Sequence, residues 1–325
     1  MNFKRRYLDY KQLVDSYLRE FVRDARPRSL YQPIRYVLGG GGKRIRSILV
    51  LLACKAVGGR KKTALHASVA MELVHNFTLV HDDIMDNATA RRGKATVHTK
   101  WDHNVAILVG DEILALAYRA LLKTVSPRIH DVSRVFTEGV VEVCEGQAYD
   151  KDFETRSNVR VDDYLLMIQK KTGKLVAVST EIGGLIGNGS NEEVAALRNY
   201  GEHVGRAFQI QDDLLDIVAD EKEFGKTIGS DLQEGKRTFL LLEALGKAAG
   251  KDRKLLLTVM NNGGVSRTHV KEFQRIYRET GAMESARKKI ARDIADAKLE
   301  LEHLPDSDAR GMLFWFTEML LHRTY

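Results

Sequence analysis

The sequence predicts an all-α fold, a single-domain helical bundle over residues 1–325, and three observations carry that reading. Apolar residues recur at intervals of three and four through long stretches, as in SVAMELVHNFTLV (Ser68 to Val80) and VSRVFTEGVVEV (Val132 to Val143), the period of a helix with one face in a core. Almost no segment alternates strictly between polar and apolar, as a half-buried strand would. The four prolines, Pro27, Pro33, Pro127 and Pro305, stand where the pattern breaks, so each is expected at a helix boundary and none inside a helix.

Polar or glycine-rich joints divide the chain near 39–42, 58–62, 88–100, 126–131, 151–161, 187–192, 220–235, 262–266 and 304–308, which leaves roughly ten or more helices between them. No joint is long or low in complexity, as an interdomain linker would be.

Composition narrows the class. Apolar residues make up 44% of the chain, enough for a sizeable core, yet no run reaches the roughly 18 consecutive apolar residues of a membrane span. The start, MNFKRRYLDYKQ, is charged where a signal peptide is apolar, so a cytoplasmic protein is expected. Cys54 and Cys144 lack the spacing of a zinc site or a disulfide framework and are expected as reduced, packed thiols. The net charge of +7 suits nucleic acid, an anionic membrane or a phosphorylated substrate equally well. Nucleic acid is disfavoured, because it predicts a basic stripe with interleaved aromatics, whereas the sequence pairs each acidic cluster with a basic one.

Those clusters are two copies of DD-x-x-D: Asp82, Asp83 and Asp86 in DDIMD, and Asp212, Asp213 and Asp216 in DDLLD. Residues four apart on a helix lie about 40° apart around the axis and about 6 Å along it, so Asp82 and Asp86 share a face, as do Asp212 and Asp216. Both copies follow long apolar runs and so load acid onto helix C-termini, where the dipole disfavours it. A cation shared by the carboxylates would offset that cost. Oxygen ligands without histidine or thiolate suit a hard ion, and few protein ligands per ion suit magnesium, which keeps waters and shares phosphate oxygens.

Basic groups supply the complement. Four glycines, Gly39 to Gly42, lead into KRIRS, so Lys43 and Arg46 are expected on one face of a helical first turn beside free amides, a plausible diphosphate cradle. Arg91 and Arg92 follow Asp86 by five and six residues, so a loop would return their guanidinium groups over the first cluster. Lys226 and Lys236 repeat the arrangement beyond the second cluster. His75, two turns before Asp82, shares its face; His81 has no such alignment and reads as structural.

The chain resembles the trans-type isoprenyl diphosphate synthases, or polyprenyl synthetases. The likeness runs in order from about Tyr31 to about Leu245 through GGGKRIR, HNFTLVHDDIMD, RRGKATVH, Gly110–Asp111, GQAYD, KTG, FQIQDDLLD, GKTIGSD and GKRT. Each motif is weak alone; their ordered combination is specific. The resemblance implies an isoprenoid-synthase bundle with a central apolar cavity. It implies that Asp82, Asp86 and Asp212, supported by Asp83, Asp213 and Asp216, hold three magnesium ions that grip an allylic diphosphate. Lys43, Arg46, His75 and Arg92 are then implied as the isopentenyl diphosphate site, and Arg91, Lys171, Thr172, Gln209, Lys226 and Lys236 as allylic diphosphate ligands. The allylic substrates implied are dimethylallyl, geranyl and farnesyl diphosphate.

In this family the allylic C–O bond ionises, the isopentenyl double bond attacks the cation, and a proton is lost. Preorganised cations stabilise the leaving diphosphate, and an apolar cavity keeps water from the carbocation. The resemblance also implies a homodimer, and lipophilic products imply at most transient membrane contact. A terpene cyclase would carry a different second metal motif in place of DDLLD, and a noncatalytic regulatory subunit would lack one acid cluster.

Three positions depart from the commonest pattern: Ser47 stands where a proline is frequent, GKLV follows Lys171 and Thr172 where small residues are usual, and Phe239 stands near an expected proline. Phe77 and Thr78, five and four residues before Asp82, are expected roughly 6–8 Å below the metal along the helix. In this family an aromatic at the first position and a small residue at the second imply geranylgeranyl diphosphate as the main product, with farnesyl diphosphate next.

Overall fold

A computed structural model describes residues 2–23, 25–218 and 228–321. The fold is all-α, as the periodicity implies, with one short hairpin of β1 (Ala90–Arg91) and β2 (Lys94–Ala95) among the described residues. Tertiary contacts divide the chain into two compact units. The first comprises Met1–Thr137, Val178–Leu197 and Leu304–Leu313; the second comprises Glu138–Ala177, Arg198–His303 and Phe314–Tyr325.

The first unit is organised around α3 (Ile45–Ala56) and α4 (Leu65–Met85), which pack on each other. Helix α3 is buried almost all round, from Ser47 through Cys54, as a central helix must be. Helix α1 (Phe3–Phe21) packs on both α3 and α4, α6 (His103–Leu121) lies along α4, and α2 (Arg28–Leu38) packs on α6 and α1. Between α4 and α6 come the hairpin and α5 (Val97–Lys100).

The second unit takes in the C-terminal part of α7 (Ile129–Thr155), then α8 (Val161–Ile168), a π-helical turn at Gln169–Gly173, the start of α9 (Lys174–Ile186) and most of α10 (Asn191–Val218). It continues through α11 (Ser230–Gln233), α12 (Phe239–Lys247), α13 (Gly250–Asn262), α14 (Val270–Glu279) and α15 (Ala282–Leu301). Its core joins Tyr164, Ile210, Leu214, Phe239, Phe273 and Tyr277. Thr238 caps α12, its hydroxyl accepting from the Leu241 N–H. The last described helix, α16 (Asp308–Leu321), completes the chain. Among the described residues no helix is long and apolar enough to cross a membrane.

Two expectations are corrected. Pro33 lies inside α2, not at its boundary, because Tyr31, Ile34 and Leu38 bury one face of the helix and carry it past the missing N–H. Cys54 is buried, but Cys144 is exposed, on the outward face of α7 that also carries Val141.

Candidate active site

In the first unit the four-glycine joint turns sharply. Gly41 and Gly42 take φ of 76° and 137°, which an L side chain resists, and Arg44 follows at 54°. Helix α3 therefore begins only at Ile45, so Lys43 precedes the helix and does not share its first turn with Arg46. The left-handed Arg44 backbone sends its guanidinium inward. There it donates to Asp15 (2.7 Å), Glu72 (2.7 Å) and the Leu38 carbonyl (2.8 Å), three acceptors for a side chain 3% exposed. The Tyr7 hydroxyl donates to the Lys43 carbonyl at 2.5 Å.

Arg46, His75 and Arg92 come together as expected. Arg46 Nη1 lies 3.3 Å from His75 Nε2, and Arg92 Nη1 donates to the Gly41 carbonyl at 2.6 Å. A Cβ on Gly42 would fall 2.8 Å from Arg92 Nη1, so the glycine makes room for the guanidinium. Burial, then Arg46, Arg92, Arg91 and Arg44, hold the His75 imidazole well below its usual pKa. Burial also pushes Arg46 down to about 10, against the partial support of Glu72, and it stays cationic near neutrality. A buried pocket with this much positive charge is built for an anion.

The first acid cluster closes α4. Asp82 is half-buried, Asp83 is buried, and Asp86 is the exposed C-cap. The hairpin returns Arg91 to this end, where its Nε donates to Asp83 at 2.7 Å. Burial raises the Asp83 pKa, with Arg91 opposing. One helical turn and more upstream, Phe77 is buried with its ring edge-on to His81, centroids 4.8 Å apart, and the Thr78 hydroxyl donates to the His75 carbonyl. His81 lies across Gly110: a Cβ there would fall 2.1 Å from Nε2, an atom without a hydrogen-bond partner. Its role is packing, in line with the structural reading.

In the second unit Asp212, Asp213 and Asp216 occupy the last described turns of α10. Asp213 accepts from the Tyr164 hydroxyl (2.5 Å), the Gln209 amide (3.1 Å) and the Phe239 N–H (3.3 Å). Asp216 takes Ser230 Oγ at 2.6 Å and the N–H groups of Ser230 and Asp231, capping α11. Burial and then Asp231 raise the Asp213 pKa to about 8, and burial raises Asp231 to about 6, with Lys236 opposing and Asp216 and Asp212 adding to the rise. Burial is the larger cause of both rises, and the neighbouring aspartates add to it.

Thr172 and Gln209 are joined to this cluster: the Thr172 hydroxyl donates to Gln209 Oε1 at 3.1 Å, and Gln209 donates on to Asp213. Lys171 meets Asp150 at 2.5 Å, and Lys236 meets Glu234 at 2.7 Å and Asp231 at 3.3 Å. Burial depresses Lys236, but Asp231 and Glu234 outweigh it and hold its pKa above the lysine range. Lys226 lies outside the described residues.

Sequence reasoning missed Arg44, Glu72, Asp150, Tyr164 and Asp231. Asp231 carried the clearest signal, standing in GKTIGSD.

The donor set fits magnesium by its chemistry, oxygen ligands with surplus negative charge. Among the described residues, three metal-capable side chains converge to within 4.8 Å at His203, Asp293 and Asp296. Asp293 there is already held by Arg206 Nε (3.0 Å) and Nη2 (2.6 Å), which disfavours a cation. The aspartate clusters are thus not closed cages, which an ion that retains waters and phosphate oxygens does not require.

The polyprenyl synthetase sequence profile matches residues 27–279. A short chain isoprenyl diphosphate synthase of Methanothermobacter thermautotrophicus is 39% identical over 97% of this chain and 97% of its own. A geranylfarnesyl diphosphate synthase of Natronomonas pharaonis is 34% identical over 97% of this chain and 96% of its own. The crystal structure of a geranylgeranyl pyrophosphate synthetase from Pyrococcus horikoshii superposes with a TM-score of 0.93 at 37% identity, covering 99% of this chain and all of that one.

Proposed function

The chain belongs to the polyprenyl synthetase family and is a prenyltransferase; from that premise we propose that it condenses isopentenyl diphosphate head to tail with allylic diphosphates, with geranylgeranyl diphosphate as the main product. The observation that carries this reading is the convergence of basic groups at His75: Arg46 Nη1 lies 3.3 Å from its Nε2, Arg92 donates to the Gly41 carbonyl, and burial, then Arg46, Arg92, Arg91 and Arg44, hold the imidazole well below its usual pKa.

Lys43, Arg46, His75 and Arg92 hold the isopentenyl diphosphate. The arginine forks take phosphate oxygens, and His75 donates one hydrogen bond. Arg91, Lys171, Thr172, Gln209, Lys226 and Lys236 hold the allylic diphosphate. For this, the carboxylates now paired with Arg91, Lys171 and Lys236 give way to phosphate oxygens or turn to a metal. Asp82, Asp86 and Asp212, supported by Asp83, Asp213 and Asp216, would hold three magnesium ions, which when bound supply positive charge to the leaving diphosphate. Phe77 ends the space for the hydrocarbon tail, with Thr78 beside it leaving room, so chain growth stops at about four isoprene units. The relatives differ in the products they are named for, and Phe77 with Thr78 is what favours geranylgeranyl here.

The two units form one domain in this reading, supported by the chain crossing between them inside α7, α9, α10 and α16 as well as at the joint before α16. A homodimer is supported by the exposed apolar Ile107 and Leu108 on α6. A cytoplasmic location and no more than transient membrane contact complete the proposal.

The test is extension of geranyl and farnesyl diphosphate with radiolabelled isopentenyl diphosphate, with and without magnesium. Asp82→Ala lowers turnover by orders of magnitude while the helical circular dichroism stays intact. A near-normal rate in Asp82→Ala, or elongation in the presence of a chelator, contradicts the assignment.

A further inference from the structure

The π-helical turn at Gln169–Gly173 interrupts an otherwise α-helical stretch, and π-turns of this kind are one-residue expansions that recur at functional sites. It is held from two sides by backbone. On one side Gly146 of α7 is buried against it: a Cβ there would fall 2.3 Å from the Lys171 amide nitrogen and 2.7 Å from Lys171 Cα. On the other side a Cβ at buried Gly205 of α10 would fall 2.5 Å from Gly173 Cα and 3.0 Å from its carbonyl oxygen. Neither obstacle is a flexible side-chain end that could swing away. To reach ordinary contact at 3.4 Å, the turn itself would have to move. Glycine is a poor helix former, so two glycines in the interiors of α7 and α10 are a destabilising choice that the close approach explains.

Side chains then fasten the turn to the same two helices. Lys170 and Lys171 pair with Glu145 and Asp150 of α7, while Thr172 donates to Gln209 and Gln169 accepts from Arg206, both on α10. We propose that Gly146 and Gly205 are positioning residues: by lacking side chains they clamp the π-turn between α7 and α10 and so aim Lys171 and Thr172 at the allylic diphosphate. This rests on the assignment of those two residues made above.

The experiment measures KM for geranyl diphosphate and for isopentenyl diphosphate separately in Gly146→Ala, Gly205→Ala and a variant lacking Lys170. The deletion removes the extra residue of the π-turn and leaves Gly146 and Gly205 in place, so it carries the test should either glycine variant fail to fold. Exposed Gly246 of α12, with nothing within 4 Å of its would-be Cβ, is the control as Gly246→Ala.

The clamp predicts that each folded variant raises KM for geranyl diphosphate at least tenfold while KM for isopentenyl diphosphate stays within twofold, and that the control changes neither. Equal rises in both constants, or a geranyl KM unchanged in the folded deletion variant, overturn it. Lys171→Ala reports on the underlying assignment alone. If it leaves the geranyl KM unchanged while the glycine and deletion variants raise it, Lys171 is not a ligand and the clamp stands through Thr172.

Discussion

Arg44 and Glu72 face each other at 2.7 Å with side chains only 3% and 4% exposed, and the Ser47 hydroxyl closes the other Glu72 oxygen at 2.9 Å. Ser47 stands where the family pattern often has proline, and that departure is absorbed into this network: a proline would supply no donor to Glu72. Asp15 from α1 accepts from Arg44 Nε and the Leu38 carbonyl accepts from Arg44 Nη2. The network fixes the backbone between Lys43 and Arg46.

Arg44→Ala would leave Glu72 buried without its cation and Asp15, part-buried, with Lys11 alone. It should lower unfolding stability by about 3–5 kcal/mol, as breaking a buried pair does. Arg44→Lys keeps the charge but cannot reach three acceptors with a planar fork, so it should recover only part of the loss. Urea unfolding at pH 7 measures both; an Arg44→Ala variant within about 1 kcal/mol of wild type would show that the network carries little of the stability.

Diphosphate binding should change the protonation of His75. Without ligand, burial and then the surrounding arginines hold its pKa well below the usual value, so the ring is neutral at pH 6.5. A bound diphosphate offsets the arginines, the imidazole pKa rises, and the protein takes up protons. Calorimetry of isopentenyl diphosphate binding at pH 6.5, in buffers of different ionisation enthalpy, should give a larger proton uptake for wild type than for His75→Gln. The difference should shrink toward pH 8. Identical proton counts in the two proteins would mean that His75 does not face the ligand.

How much of this was legible in the sequence depends on how local the cause is. DDIMD and DDLLD announced themselves because like charges four residues apart repel whatever surrounds them; DDIMD closes α4, and DDLLD lies in the last described turns of α10. The helices were legible because their period is local too. In KRIR, by contrast, spacing marks three basic residues but cannot tell that the middle one turns inward. The left-handed backbone at Arg44 and its partners Asp15 and Glu72 come from other helices. Tyr164 and Asp231 were equally hidden, because what makes them part of the acid site is tertiary burial around Asp213. Pro33 misled for the same reason: its neighbours' packing outweighs its local preference.

Asp293 offers a pH-dependent stability term away from the substrate residues. Its side chain is 1% exposed and meets Arg206, His203 and Lys289. Burial alone would raise its pKa, but His203 and Arg206 outweigh burial and hold it below the ordinary carboxylate range. A depressed folded-state pKa contributes stability that is present above the unfolded value of about 3.9 and is lost as pH falls toward the folded value. Asp293→Asn should therefore cost on the order of 3 kcal/mol at pH 7, and the gap to wild type should narrow as the pH falls below about 4. Denaturant titrations at pH 7 and pH 3 measure it; a gap that does not depend on pH would assign the loss to packing.

Product length tests the tail-binding end of the site. The Phe77 ring is buried against His81, which packs closely on Gly110, so the aromatic cannot retreat toward α6 without displacing His81. Its neighbour Thr78 is small and tied to the His75 carbonyl, so it leaves the adjoining space open. Removing the ring in Phe77→Ala opens a void of several methylene groups on the α4 face below Asp82. The expected outcome is a shift of the main product by at least one isoprene unit, with KM for isopentenyl diphosphate unchanged because the His75 pocket is untouched. Replacing Thr78 with phenylalanine should act in the opposite direction and shorten the product toward farnesyl diphosphate. Chromatography of the dephosphorylated products measures both, and an unchanged length in Phe77→Ala would remove Phe77 as the floor and leave it as ordinary core packing.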